Sequence, residues 1–452
     1  MYLPQSDVLA PPAVYRERTK PVVPAGPPRE PLSADVAVIG AGFTGLSAAL
    51  HLAEAGSRVA VLEARSVGWG ASGRAFGQVV PYLKRDHDAV LAHYGPAAGA
   101  RVVDAVAAGP GFVFDLIDRH AIACGDVRTG LLFAAHSPKG ARGLEARAKY
   151  WRDRGAAVEL LDAAQTEAAS GSRFYELALL DRRGGHLNPY AYTHGLARAA
   201  LGLGVAIHVE TPVRTIARGS GRWRLDAGAG VEADAVIIAT NAYGRGLWPG
   251  LAESVVPMRG HGMVSRPISD NLRRSVLPGG QPLTDTRRLY SGLRLLPGGG
   301  LQVSLAGPPA GPERSPPPAA ADARVARVFP HLGKLEWSEQ WSGWVAMTPD
   351  MFPRVNELAP GLFAGLGYNG RGIAAASMIG RELALRVAGA PESELTFPLT
   401  PLRPVPAYRL AQWPLRAAAA ASGLLDALDE ARLNRRQRAR AASSTALRRP
   451  SR

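Results

Sequence analysis

Asp35-Val36-Ala37-Val38-Ile39-Gly40-Ala41-Gly42-Phe43-Thr44-Gly45-Leu46-Ser47-Ala48-Ala49-Leu50 is the stretch on which the fold turns. A short β-branched apolar run, of the kind buried on both faces in a parallel sheet, gives way to three glycines and then to strong helix formers that end at Gly56. A second apolar run, Arg58-Val59-Ala60-Val61-Leu62, ends at Glu63, 18 residues after Gly45. Strand, glycine-rich turn, helix, strand and acid make one βαβ unit of the dinucleotide-binding type. In that reading Gly40 permits the tight turn, Gly42 admits a pyrophosphate close to the backbone, and Gly45 lets helix and strand approach. The helix start, at Phe43 and Thr44, turns unpaired N–H groups and a positive dipole end toward the phosphates. Glu63 accepts from the adenosine ribose hydroxyls, which favours a free ribose, and so FAD or NAD over NADP.

Outward from this unit, residues 1–32 are rich in proline, without a period, and read as an extended arm into the first strand. Downstream, helical stretches at about 96–122 and 141–168 alternate with strand-like ones at about 205–217 and 231–239. A strand-rich block runs from about 255 to 305, with a turn at Pro297-Gly298-Gly299-Gly300, and a proline-rich surface loop occupies 307–320. Past about 405 the chain is alanine-rich and helical, ending in arginines.

With 452 residues, 46% apolar and 20% charged, the chain is a folded globular protein rather than a disordered one. Its net charge of +15 is misleading as a nucleic-acid signature, because the eight arginines after Glu430, from Arg432 to Arg452, supply +8 of it. A like-charge run of this kind is a solvated tail, and no aromatic side chains interleave with the arginines to stack on bases. No nucleic-acid partner is expected. Leu424, Leu425 and Leu428 precede the arginines on one helical face, so contact with an anionic membrane surface is kept as an accessory reading. A single cysteine, Cys124, excludes an internal disulfide and a thiolate metal site, and no His/Asp/Glu spacing suggests a metal. With no secretory pattern at the start and no apolar run of spanning length, the expected location is cytoplasmic.

Three further segments carry a family likeness. Gly68-Trp69-Gly70-Ala71-Ser72-Gly73-Arg74, directly after the acid, resembles the D-amino-acid-oxidase-like (DAO) superfamily of FAD enzymes, in the branch of gamma-glutamylputrescine, glycine and sarcosine oxidases. Val231 to Ala242, which carries Ala239-Thr240-Asn241, is similar to the family's second nucleotide-contacting strand. Trp344 to Asp350 and Gly365-Leu366-Gly367-Tyr368-Asn369-Gly370-Arg371-Gly372 look like its closing flavin loop. The likeness spans about 34–400. Two departures fall where substrate choice is decided: Ala75-Phe76-Gly77 stands where the family often has Asn-Gly-Gly, and Arg371 where it often has histidine.

The resemblance implies an α/β fold, with a discontinuous Rossmann-type FAD-binding domain built from 33–95, 185–250 and 335–400. An interleaved α+β substrate domain on an antiparallel sheet takes 96–184 and 251–334. A helical extension at 401–431 and a basic, disordered tail at 432–452 follow. It also implies noncovalent FAD, held by Gly40, Gly42, Phe43, Thr44, Gly45, Glu63, Ala64, Gly70, Ala71, Ser72, Gly73, Arg74, Val213, Ala239, Thr240, Gly367, Tyr368, Asn369, Gly370 and Gly372. The implied reaction takes a hydride from an amine or amino-acid C–H bond to flavin N5, giving an imine that water converts to a carbonyl; the electron acceptor is O₂ or another species. An NAD-dependent dehydrogenase is the competing reading of the βαβ unit alone.

For the reacting end, Arg371 adds positive charge beside the flavin N1–C2=O edge, or stands as a surface arginine on a tight turn. Arg294 resembles the strand arginine that binds the substrate carboxylate in glycine-oxidase-like members, and reads equally as a solvated strand-end residue. His186 lines the active site or acts as a general base, and His261 carries the same alternatives. Trp337, Trp341 and Trp344 read as core or domain-interface aromatics.

Overall fold

The computed structural model describes residues 10–244, 246–309, 318–408, 410 and 412–446. The opening βαβ unit forms the middle of an eight-stranded sheet. Leu32–Ile39 pairs in parallel with Val59–Leu62 on one side and Val231–Ile238 on the other. Ala206–His208 and Leu362–Leu366 extend the parallel set outward. A hairpin, Ile216–Gly219 and Arg222–Leu225, and the strand Arg354–Ala359 add antiparallel edges. Val36, Ala37, Val38 and Ile39 are all buried, as a central parallel strand covered on both faces requires. The helices Phe43–Glu54 and Gly372–Val387 pack against each other over this sheet. Gly380 allows the close approach, because a Cβ there would stand 2.5 Å from the Thr44 carbonyl oxygen.

A second eight-stranded sheet is antiparallel except where Leu283–Asp285 runs parallel to Leu131–Ala134. Its longest pairing joins Val256–Pro267 to Trp337–Met347 over nearly their whole lengths. The two-stranded ribbon Gln78–Val79 with Gly185–His186 links the chain segments that cross between the sheets.

Several segments differ from expectation. Trp337–Met347, assigned with 335–400 to the Rossmann-type domain, belongs to the antiparallel sheet, because its backbone pairing partner is Val256–Pro267. The helical stretch at 141–168 is two helices, Pro138–Arg152 and Ala163–Ser170, separated by the strand Val158–Leu161 after a left-handed Gly155. The N-terminal arm is not simply extended: Ala13–Arg16 forms a short helix whose Tyr15 is 2% exposed. The strand Gly300–Pro309 takes the first part of the expected proline-rich loop, and residues 310–317 lie outside the described residues. The C-terminal helix runs from Gln412 to Ala446, so residues 432–446 of the expected disordered tail are helical, as their alanines and arginines favour; 447–452 lie outside the described residues. No helix among the described residues is long and apolar enough to cross a membrane.

Candidate active site

A cavity of about 1130 Å³ runs between the two sheets, lined at one end by Gly40 to Thr44 and Glu63 and elsewhere by residues of the antiparallel sheet. Local geometry at the glycine loop follows from close contacts. Gly40 has a φ of +107°, and a Cβ at Gly45 would stand 1.9 Å from the Gly40 carbonyl oxygen. Any side chain at Gly45 therefore pushes the helix off the strand. At Gly42 a Cβ would approach the Ser72 hydroxyl oxygen to 2.9 Å, and that oxygen already accepts the Phe43 N–H at 3.0 Å.

The acid after the second strand is held by the same loop. Glu63 accepts the Ala41 N–H at 2.8 Å through one carboxylate oxygen and the Arg65 N–H at 2.9 Å through the other. Burial raises its pKa above the usual carboxylate range, and those two N–H groups pull it back. Ala64, Gly70, Ala71, Ser72, Arg74, Val213, Ala239 and Thr240 line the same cavity. Gly73 and Gly367 do not; a Cβ at Gly73 would stand 2.2 Å from the Gly68 carbonyl oxygen, and one at Gly367 2.5 Å from Thr348 Cγ2. Arg74 is 8% exposed, donates to the Trp69 carbonyl at 3.0 Å, and lays its guanidinium over the Trp69 ring. These glycines, N–H groups and the acid fit a dinucleotide with a free ribose, and the cavity has room beyond it.

Further along, Tyr368, Asn369, Gly370, Arg371 and Gly372 line the cavity just before and at the start of the Gly372–Val387 helix. Tyr368 and Thr44 share a hydrogen bond at 2.5 Å that ties this loop to the glycine-rich helix. Asn369 takes a left-handed φ of 53°, accepts the Thr348 N–H at 2.8 Å and donates to the Gly367 carbonyl at 2.6 Å. The loop is thus held open by its own side-chain hydrogen bonds. The Arg371 guanidinium carbon lies 5.8 Å from the Phe133 ring centroid, on the side of the antiparallel sheet, and burial pushes the group down to about 10.

Two residues expected at the reacting end do not line the cavity. Arg294 is 2% exposed, and each of its three nitrogens has a protein acceptor: Nε to Gln302 at 2.7 Å, Nη1 to the Leu187 carbonyl at 2.9 Å and to His186 Nδ1 at 3.3 Å, Nη2 to the Tyr15 hydroxyl at 3.0 Å. The Phe76 ring, which does line the cavity, lies 5.5 Å from its guanidinium carbon. Gly77, at φ +97°, leaves room for this packing; a Cβ there would stand 2.4 Å from Arg294 Nη1. Arg294 is therefore neither solvated nor in reach of the cavity. His186 faces Arg294 through Nδ1, and its Nε2–H donates to the Gly280 carbonyl at 3.1 Å. Burial, with Arg294 adding to it, pushes His186 down to about 3, so it is neutral and both ring nitrogens are engaged. His261 does line the cavity, in mid-strand; burial and then Arg259 push it down to about 4. Trp337, Trp341 and Trp344 donate or pack within the protein, Trp341 Nε1 to the Arg74 carbonyl at 3.0 Å.

The sequence reading did not single out Gln78, Lys84, Tyr243, Met258, Arg259 or Tyr290, all on the cavity wall. Gln78 and Lys84 follow the Gly70–Arg74 segment closely, which is the only local signal they carried. It also missed Ala418 and Ser422 of the C-terminal helix. That helix reaches the cavity because Asp426 accepts the Arg288 and Leu289 N–H groups and pairs with the Arg288 guanidinium at 2.7 Å, while Glu430 pairs with Arg287 at 3.0 Å.

Comparison with known proteins places this geometry. Residues 35–386 match the family model DAO, described as FAD dependent oxidoreductase. The chain is 34% identical over 400 residues to gamma-glutamylputrescine oxidoreductase of Escherichia coli (strain K12), covering 87% of this chain and 92% of that protein. It is 27% identical to glycine oxidase of Geobacillus kaustophilus (strain HTA426) over 360 residues, 76% of this chain and 90% of that protein. The crystal structure of the Geobacillus kaustophilus glycine oxidase superposes with a TM-score of 0.67 at 25% identity, over 79% of this chain and 95% of that chain.

Proposed function

The chain belongs to the DAO family of FAD dependent oxidoreductases, and on that premise we propose that it oxidises the C–N bond of an amine or amino acid. The observation that carries this reading is one continuous cavity, bounded at one end by the glycine loop with Glu63 and at another by the Tyr368–Gly372 loop. Bound FAD supplies a hydride acceptor at flavin N5, and water hydrolyses the imine product to a carbonyl compound.

The chain's own residues bind and orient. Gly40, Gly42 and the start of the Phe43–Glu54 helix receive the pyrophosphate, and Glu63 takes the ribose hydroxyls. Gly45 and Gly73 act through packing, Gly367 likewise, while Ala64, Gly70 to Ser72, Arg74, Val213, Ala239 and Thr240 form walls. With FAD bound, the Tyr368–Gly372 loop, the N–H groups opening the Gly372–Val387 helix and the charge on Arg371 would oppose negative charge developing on the reduced flavin. Arg294 and His186 position rather than react: they lock the Gly77–Leu187 crossing under Phe76. Attachment is noncovalent, since Cys124 is buried away from the cavity and burial raises its thiol to about 12. The substrate is a small amine or amino acid, the acceptor is O₂ or another species, and the location is the cytoplasm.

Anaerobic mixing of the purified yellow protein with an amine and amino-acid panel tests the reaction. Bleaching of the flavin bands by at least one amine is expected. Reversal by air assigns O₂ as the acceptor, and bleaching that persists in air and yields only to a dye or quinone assigns another. Bleaching by NADH alone would overturn the reading.

A further inference from the structure

The helix Gln412–Ala446 lies wholly beyond residues 35–386, the part of the chain that matches the family model, yet Ala418 and Ser422 of this helix stand in the cavity wall. They fall on the antiparallel-sheet side. The helix packs on the strand Gly300–Pro309, whose Ser304, Leu305 and Ala306 line the cavity. Next to Ser422, a Cβ at Gly423 would stand 3.5 Å from Leu289 Cδ1. Tyr290, the residue after Leu289, meets the Phe76 ring edge to face with centroids 6.1 Å apart. The glycine loop and Glu63 bound the other end.

Ala418, Ser422, Asp426 and Glu430 are spaced four apart and make one ridge of the helix. The second half of the ridge is its seat. Asp426, 3% exposed, accepts the Arg288 and Leu289 N–H groups at 3.2 and 3.1 Å and pairs with the Arg288 guanidinium, which Asp429 also reaches at 2.9 Å. Glu430, 8% exposed, pairs with Arg287 at 3.0 Å and Arg327 at 3.3 Å. Leu433, one turn on, joins the apolar cluster of Val325 and Val328. Lifting the ridge would strand buried charges, so it is a fixed wall and not a flap. A fixed helix discriminates by size, because it does not yield to an extra methylene. Ala418 is exposed and Ser422 half-buried, which puts the first half of the ridge where the cavity meets solvent.

We propose that Ala418 and Ser422 form the specificity-determining rim of the substrate end of the cavity, and set the bulk that an amine can carry away from its reacting C–N bond. The role in choosing an amine rests on the amine-oxidation reading above; the rim's control of access to the flavin does not.

A single thiol placed on the rim tests this in the FAD-bound protein. Cys124, the one cysteine of the chain, is buried, so Ala418→Cys gives one accessible site for N-ethylmaleimide. Ala420→Cys, exposed on the same helix but off the cavity wall, is the control. Alkylating Ala418→Cys is expected to lower kcat/KM for the bulkiest amine oxidised by about tenfold or more, and for the smallest by much less, at unchanged flavin content. Alkylating Ala420→Cys is expected to change neither. Equal losses for both amines, equal effects at the two positions, no effect at Ala418→Cys, or loss of flavin there overturns the rim. If no amine bleaches the flavin in any form, the amine reading fails, and quenching of flavin fluorescence by acrylamide still tests the rim. Quenching weakened by alkylation of Ala418→Cys and not of Ala420→Cys supports it; equal quenching overturns it.

Discussion

At Gly45 a single methyl group decides whether the dinucleotide end forms. A Cβ there would stand 1.9 Å from the Gly40 carbonyl oxygen, so Gly45→Ala is expected to purify with most of its flavin lost, read as the ratio of flavin to protein absorbance. Its role was legible because the turn imposes it locally. Arg294 is the opposite case. Its residue type and strand-end position suggested water or substrate, but the hydroxyl that accepts from its Nη2 belongs to Tyr15, 279 residues earlier. No local pattern reports a contact of that span. Arg294→Met is expected to lower unfolding free energy by about 3 kcal/mol or more, since it strands Gln302, Tyr15 and the Leu187 carbonyl. Chemical denaturation measures it. A variant of native stability with a selectively raised KM for acids would return Arg294 to the substrate.

Among the elements, the βαβ unit was readable end to end, because strand period, turn glycines and helix formers agree within thirty residues. The Trp337–Met347 strand was not, since its neighbours in sequence cannot reveal which sheet it joins. The same blindness hid where the C-terminal helix docks. Nothing local marks its acids, yet Asp426 is 3% exposed and holds the backbone of Arg288 and Leu289 at the cavity wall. Asp426→Ala is expected to loosen that loop, raising KM several-fold while flavin content stays constant. Steady-state kinetics beside limited proteolysis checks both effects. An unchanged KM would make the helix a scaffold only.

For the whole molecule, the two sheets enclose a cavity, and the fold also buries neutral histidines away from it. His186 is pushed down to about 3 and His194 to about 4, each chiefly by burial. The unfolded chain binds protons at these sites below about pH 6.5 that the folded chain refuses. Stability is therefore full above about pH 6.5 and falls as pH drops from there, to about pH 4 for the His194 share and to about pH 3 for the His186 share. His186→Gln is expected to flatten this slope, measured by denaturation midpoints across the window; an unchanged slope would show that His186 is not held neutral. The overall architecture was legible as a class from three ordered motifs. That Lys84 and Arg371 line one cavity was not legible, because they stand far apart in the sequence and come to the same wall only in the fold.

The central claim, oxidation of an amine C–N bond at FAD, is tested most directly by an anaerobic single turnover with quantified products. The account predicts one carbonyl product and one amine or ammonia released per flavin bleached. Bleaching without a carbonyl product, or flavin reduction confined to a nicotinamide or a hydroxy acid, would contradict it.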